Sequence, residues 1–134
     1  MMRAQVLFTP AADLTGTGDS TTSNDGRDIL TFALTLRTVN QFYVGGADAK
    51  DPSVSPLYDA YAENFPASVI VSGTRDLLLS NSVRFFWKLK AANVPSELLV
   101  AEGGWHGFHW EYETPESIAT MKAVDGFLTQ QLRR

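Results

Sequence analysis

The chain has 134 residues, a formal net charge of −4, 44% apolar and 19% charged residues, and no cysteine. The length fits one globular domain over residues 1–134. The composition argues against a disordered chain, and the net charge argues against a nucleic-acid partner. The lack of cysteine excludes disulfides and thiolate catalysis. The sequence holds no apolar run of the roughly 20 residues that a membrane span needs and too short an N-terminal run for a signal peptide, so we expect a cytoplasmic protein without a membrane partner.

The first third of the chain predicts a strand, a loop and a helix. Ala4–Phe8 is a short apolar run, and residues 11–27 are rich in Thr, Ser, Gly, Asp and Asn, which is typical of a surface loop. Within residues 31–43 apolar side chains recur at i, i+4, i+7 and i+11, which predicts a helix whose stripe faces the core or else lines a pocket. Gly45-Gly46 should end that helix. The stripe consists of Phe32, Leu36, Val39 and Tyr43.

The rest of the chain predicts two strands and two helices in alternation. The predicted strands over residues 68–72 and 97–102 contain continuous apolar runs at 69–71 and 98–100, typical of strands covered on both faces. A helix that stops at Asn93 lies between them. Thr114 should cap a final helix. The order of elements predicts an α/β fold, in which a small parallel sheet of about three strands is flanked by helices. The expected buried face of the final helix is Ile118, Met121, Val124, Leu128 and Leu132.

Two ionisable residues follow the second and third predicted strands. Asp76 comes after Gly73, and His106 comes after Gly103-Gly104. In open parallel sheets, reactive groups gather in the crevice beyond the carboxyl ends of the strands. An aspartate and a histidine at that edge are two of the three members of an acyl-transfer triad. The sequence therefore predicts a catalytic pair without an obvious nucleophile.

Residues 73–80 (Gly-Thr-Arg-Asp-Leu-Leu-Leu-Ser) and 104–108 (Gly-Trp-His-Gly-Phe) resemble the acid and histidine loops of one α/β-hydrolase branch, the hormone-sensitive-lipase-like bacterial esterases. Residues 13–20, 43–48 and 51–57 are similar to segments that precede the acid in that family. The resemblance implies the chain order Ser…Asp…His and a serine esterase or lipase that acts on small-molecule esters without a cofactor. It also implies that Asp76 orients the imidazole and that His106 acts as general base.

The resemblance reaches only the C-terminal part of such an enzyme. The oxyanion loop of H-G-G type and the elbow of G-D-S-A-G type have no counterpart in these 134 residues, and Ala4–Phe8 would lie next to the strand that leads into the elbow. We therefore expect a partial α/β-hydrolase fold that lacks its nucleophile and is inactive without the missing N-terminal half.

The serines of this chain are poor candidates for the nucleophile of the triad. Ser20 follows Gly18-Asp19, but Thr22 stands where the elbow needs a second glycine and no apolar strand precedes it. We expect a hydroxyl-rich turn there. Ser72, Ser80 and Ser82 do not lie in an elbow either.

Other residues near the predicted pair have two interpretations. His109 is expected to pack or form a wall, and we predict no metal site, because His-x-x-His on a glycine-interrupted loop is a weak ligand pattern. The imagined metal set would be Glu102, His106, His109 and Glu111. The residues that border an acyl or alcohol pocket, or else belong to the core, are Leu77, Trp105 and Phe108.

A second hypothesis is a non-catalytic module. Ala4–Phe8 begins almost at residue 1, so an uncovered edge of that strand would pair with a partner or with another copy of the chain. The sequence alone leaves the acyl-chain preference and the oligomeric state open.

Overall fold

The computed structural model describes residues 2–133 and contains a parallel sheet between helices. The strands are β1 (Ala4–Phe8), β2 (Ala67–Gly73) and β3 (Ser96–Ala101). The helices are α1 (Ser20–Ser23), α2 (Arg37–Val44), α3 (Leu79–Ala91) and α4 (Pro115–Leu132). A π-helical turn over Phe32–Leu36 precedes α2, and short 3₁₀ turns cover Pro56–Tyr58 and Phe108–Trp110.

The sheet has the order β1-β2-β3, with both pairings parallel. All seven residues of the central strand β2 are buried, and successive side chains point to opposite faces. Ile70 packs on one face with Phe85, whereas Val69 and Val71 pack on the other. This two-sided core confirms the α/β prediction and explains why the strand shows a continuous apolar run without alternation.

Helix ends lie close to where the sequence predicts them. Gly45 adopts the left-handed conformation (φ +58°) and donates its N–H to Gln41 O, which ends α2. Asn93 is also left-handed (φ +58°), just beyond α3. Thr114 caps α4 by accepting a hydrogen bond from Ser117 N.

The buried face of α4 differs from the prediction. Ile118, Met121 and Leu132 are 56%, 46% and 57% exposed. The small side chain of Ser117 allows close approach of the helix, and its hydroxyl donates to Phe108 O at 3.0 Å. Val124 is buried as predicted and Leu128 packs against the same core cluster. Apolar residues occur around much of this helix, so periodicity also selects residues that packing against the sheet leaves exposed. The buried residues are Ser117, Thr120, Val124 and Phe127.

The region before β2 also departs from the prediction. Val39 and Tyr43, expected in the core, are 56% and 67% exposed. The whole of α2 buries no residue, because no other element of the described chain covers its apolar stripe. Conversely, the expected surface loop contributes Ala12 to the core cluster around Ile70. Its polar residues enter the interior because they hydrogen-bond to other segments.

An ion pair fixes the segment after β1 onto α3. The Asp13 side chain is inaccessible to solvent and lies 2.6 Å from Arg84 Nη1. It also accepts hydrogen bonds from Thr15 N and Thr15 Oγ1 at 2.9 and 2.7 Å. Burial acts to raise the pKa of Asp13, but the hydrogen bonds from Thr15 and the guanidinium of Arg84 outweigh it and lower the pKa. The carboxylate is therefore held in its charged form.

Within residues 2–133, no helix is both long enough and apolar enough to cross a membrane.

Candidate active site

The loops that follow β2 and β3 lie directly against each other. Thr74 N donates to Ala101 O at 3.0 Å, and Arg75 N donates to Gly104 O at 2.9 Å. A Cβ atom on Gly73 would overlap the backbone of Gly104, so the contact requires a residue without a side chain. The two loops predicted to carry the acid and the histidine are thus joined at their bases.

Asp76 and His106 come together at this edge of the sheet. His106 Nδ1 lies 3.2 Å from Asp76 Oδ1, and the carboxyl group of Asp76 is fully buried. Asp76 Oδ2 accepts the hydroxyl of Ser72 at 2.7 Å, and Oδ1 also accepts Leu78 N at 2.9 Å. These bonds fix the carboxylate, and an ionised carboxylate can only accept.

The pairing determines the tautomer of the histidine. The contact is a hydrogen bond when Nδ1 of His106 carries the proton and Asp76 accepts it, and that tautomer leaves Nε2 able to accept a proton. The His106 side chain keeps 21% of its surface exposed, so a proton donor can approach it. Gly107 follows in the left-handed conformation (φ +79°), where a Cβ would lie 2.9 Å from the Trp110 ring. The turn that presents His106 therefore depends on glycine.

Asn24 holds the acid loop from the segment that was predicted to be a surface loop. Its side-chain amide donates to Asp76 O at 2.9 Å and to Thr74 O at 3.2 Å. Asn24 is not recognisable from the sequence, since its partners are carbonyls about fifty residues away and no periodicity or motif marks such a contact.

Ser20 has a structural role that agrees with its exclusion as a nucleophile. Its hydroxyl is buried, donates to Leu77 O at 2.7 Å and accepts Ser80 N at 2.9 Å. Ser80 Oγ accepts Ser20 N in return, also at 2.9 Å. These reciprocal bonds attach α1 to the start of α3.

The residues predicted to border a substrate pocket lie largely in the core of this chain. Leu77 is fully buried and Phe108 is 2% exposed, while Trp105 is half-buried against the cluster that contains Phe108. Trp105 and Phe108 line a groove of about 250 Å³ whose lining includes neither Asp76 nor His106. Contact of these three residues with a substrate stays a prediction.

His109 packs, as expected. Its ring stacks on Phe8 with 4.2 Å between centroids and 18° between planes. Burial, and secondarily repulsion from His106, lower the pKa of His109. Among residues 2–133, no three His, Asp or Glu side chains are grouped as a metal site would require.

Comparisons with known proteins agree with the fold described above. Residues 1–110 match the family described as alpha/beta hydrolase fold. The structure of esterase E25 superposes with a TM-score of 0.90 at 40% identity, over 96% of this chain and 40% of that one. A hormone-sensitive lipase from a metagenome library has a TM-score of 0.86 at 28% identity, over 94% of this chain and 43% of its own.

A curated relative gives the same result. An esterase of Acinetobacter venetianus is 29% identical over 119 residues, which are 85% of this chain and 39% of the relative. The chain thus spans about two fifths of the length of the relatives it matches. It belongs to the α/β-hydrolase family and corresponds to the C-terminal part of its hormone-sensitive-lipase-like esterases.

Proposed function

We propose that this chain supplies the acid and the base of a serine carboxylesterase, and that catalysis needs a nucleophile from a further polypeptide segment. The observation that carries the proposal is the buried Asp76 carboxylate 3.2 Å from His106 Nδ1. It fixes the tautomer in which Nε2 can take a proton from a serine hydroxyl and return it to the leaving alkoxide. Asp76 stabilises the imidazolium that forms between these two steps.

The serines of this chain that contact the acid or its loop support the need for an outside nucleophile. The hydroxyl of Ser72 donates to Asp76 Oδ2, on the carboxylate and not on the imidazole. The hydroxyl of Ser20 is engaged with Leu77 O and Ser80 N. We therefore expect the chain alone to be inactive. The proposed reaction uses small-molecule esters and no cofactor or metal. The proposed compartment is the cytoplasm, whose reducing conditions suit a chain without cysteine.

The test is hydrolysis of a short-chain p-nitrophenyl ester by the purified chain, alone and mixed with the complementary N-terminal part of esterase E25. We expect no rate above buffer for the chain alone and a measurable rate for the mixture. His106→Ala should then lower kcat by a factor on the order of 10⁶, the size known for loss of a triad histidine.

His109→Phe is the matched control, because it changes the other histidine and keeps an aromatic ring against Phe8. Its mixture should retain the parent rate. An esterase rate of the chain alone that disappears in His106→Ala would contradict the proposal, since the nucleophile would then lie within these residues.

A second candidate is a module that associates through the free edge of β1. Thr9 N donates to Val71 O, and Ala67 N donates to Arg3 O. The backbone N–H and C=O groups of the odd-numbered residues along this strand therefore point toward β2. The N–H of Val6 consequently faces away from β2, toward an edge that no strand of residues 2–133 covers.

The association is measurable by sedimentation velocity over a range of concentrations. If the edge mediates it, Val6→Pro should abolish it by removing the outward donor. Val6→Ala, which loses the same packing but keeps the N–H, should preserve it. A monomer at all concentrations would exclude self-association by this route.

A further inference from the structure

Asp28 joins the acid loop to the histidine loop. It lies in the irregular segment after α1, and Oδ2 of its carboxylate accepts Leu77 N at 2.7 Å. Oδ1 accepts His106 N at 2.9 Å and the N–H of its own neighbour Ile29 at 2.7 Å. Leu77 directly follows the acid, and His106 is the base. One carboxylate therefore contacts the backbone of both halves of the catalytic pair.

The other links between these loops lie farther from the reacting groups. Thr74 N and Arg75 N bond to the histidine loop before Asp76 is reached. Thr74 Oγ1 accepts Gly103 N at 2.8 Å, also at the base of the loops. Asp28, in contrast, binds the loops at Leu77, next to the acid, and at His106 itself. Its two hydrogen bonds can therefore control the distance between the carboxylate and the imidazole.

Asn24 and Asp28 both hold the loops, Asn24 as a hydrogen-bond donor and Asp28 as an acceptor. Asp28 N donates to Asn24 O at 3.2 Å, so the two residues are spaced as in a helical turn. Asn24 donates to two carbonyls of the acid loop, whereas Asp28 accepts from amides of both loops. Only Asp28 spans them.

We propose that Asp28 is a positioning residue that sets the Asp76–His106 geometry through two backbone amides. The inference rests on the proposed esterase function for its consequence in catalysis. A carboxylate is suited to this position because both of its oxygens accept. An asparagine would present an amide N–H toward one of the two backbone donors and would leave that donor without an acceptor.

The test is proton NMR of the 134-residue chain, which reports the Nδ1–H of His106 without any nucleophile. The parent should show the downfield resonance of a proton held between imidazole and carboxylate, and Asp76→Asn identifies it by removing it. Asp28→Asn should move this resonance upfield or broaden it beyond detection.

Asp59→Ala is the matched control. Asp59 accepts the N–H of the next residue, Ala60, at 2.8 Å, as Asp28 does with Ile29, but it is exposed and accepts no hydrogen bond from either loop. Its variant should leave the resonance unchanged. If Asp28→Asn leaves the resonance at the parent position, the inference is overturned.

The second readout is the mixture with the complementary E25 segment. Asp28→Asn should lower kcat roughly 10- to 100-fold with little change in KM, since a misplacement of about 1 Å costs up to 10² in rate. Asp28→Glu keeps the charge and should restore part of the rate, which a loss of folding would not allow.

The two proposals can fail separately. A shifted resonance in Asp28→Asn with an inactive parent mixture would support the positioning role and contradict the esterase proposal. An active mixture in which Asp28→Asn retains the parent kcat would overturn the positioning role alone.

Discussion

The edge of the sheet that carries Asp76 and His106 and the segment that carries α2 are stabilised to very different degrees. At the sheet edge, β2 is buried throughout and Asp76 has both oxygens bonded. Along the segment, Leu34 and Phe42 are 80% and 84% exposed, and α2 buries no residue within the described chain. The first region is held by contacts inside this chain, whereas the second presents apolar surface to solvent. Substitutions should therefore be felt very unequally in the two regions.

The largest effect should come from the core beneath the sheet. Phe85 is 4% exposed, packs with Ile70 and meets the Tyr61 ring edge-on at 5.4 Å. Phe85→Ala should lower the free energy of unfolding by about 3–5 kcal/mol, because it removes apolar contacts and leaves a cavity. Urea denaturation followed by circular dichroism measures this. A loss below about 1 kcal/mol would mean that this core is not well packed.

A smaller loss is expected where the loops that carry Asp76 and His106 meet. Gly73→Ala would push a methyl group into the backbone of Gly104 and should cost about 1–3 kcal/mol. Gly126 in α4 is the control, since a Cβ there would have no neighbour within 4 Å. Gly126→Ala should stabilise by about 0.5–1 kcal/mol. Equal effects of the two substitutions in urea denaturation would contradict the close contact of the loops.

The ion pair of Asp13 predicts a dependence on pH. Because the pKa of Asp13 is lower in the folded chain than its usual value, the pair contributes stability above the unfolded pKa of about 3.9. That contribution is lost as the pH falls through the folded pKa. Asp13→Asn should therefore flatten the decline of stability below about pH 5, and Arg84→Met should move the decline to higher pH. Thermal unfolding at several pH values tests both, and an unchanged profile in Asp13→Asn would exclude this contribution.

The smallest effect on stability should come from α2. Phe42→Ser changes an 84% exposed side chain and should alter the free energy of unfolding by no more than about 0.5 kcal/mol. The same variant should aggregate less in light scattering, since it removes exposed apolar surface. A loss comparable to that of Phe85→Ala would show that Phe42 is buried in solution.

Local sequence patterns predicted the sheet and the pair at its edge. The uninterrupted run Val69, Ile70 and Val71 indicates a strand covered on both faces. The two core clusters cover these two faces. Asp76 follows β2, which ends at Gly73, and His106 follows β3, which ends at Ala101 shortly before Gly103-Gly104. Their meeting follows from the parallel topology. These signals are local, and each can be read within a few residues.

The remaining features depend on contacts between distant segments. Asn24 binds carbonyls of the acid loop, and nothing in its neighbouring residues indicates that partner. The face of α4 that carries Phe127 competes with the one that carries Ile118, and only packing distinguishes them. The stripe that contains Val39 is periodic, but periodicity does not reveal whether another surface covers it.

The stack of Phe8 on His109 connects the last residue of β1 to a position three residues beyond His106. A strand that pairs with the free edge of β1 would hold Phe8 more firmly, and the stack would pass that constraint to the histidine loop. By thermodynamic linkage, the reverse also holds. Under the two proposed functions, a substrate that orders the histidine loop would tighten an association at β1 by the same factor.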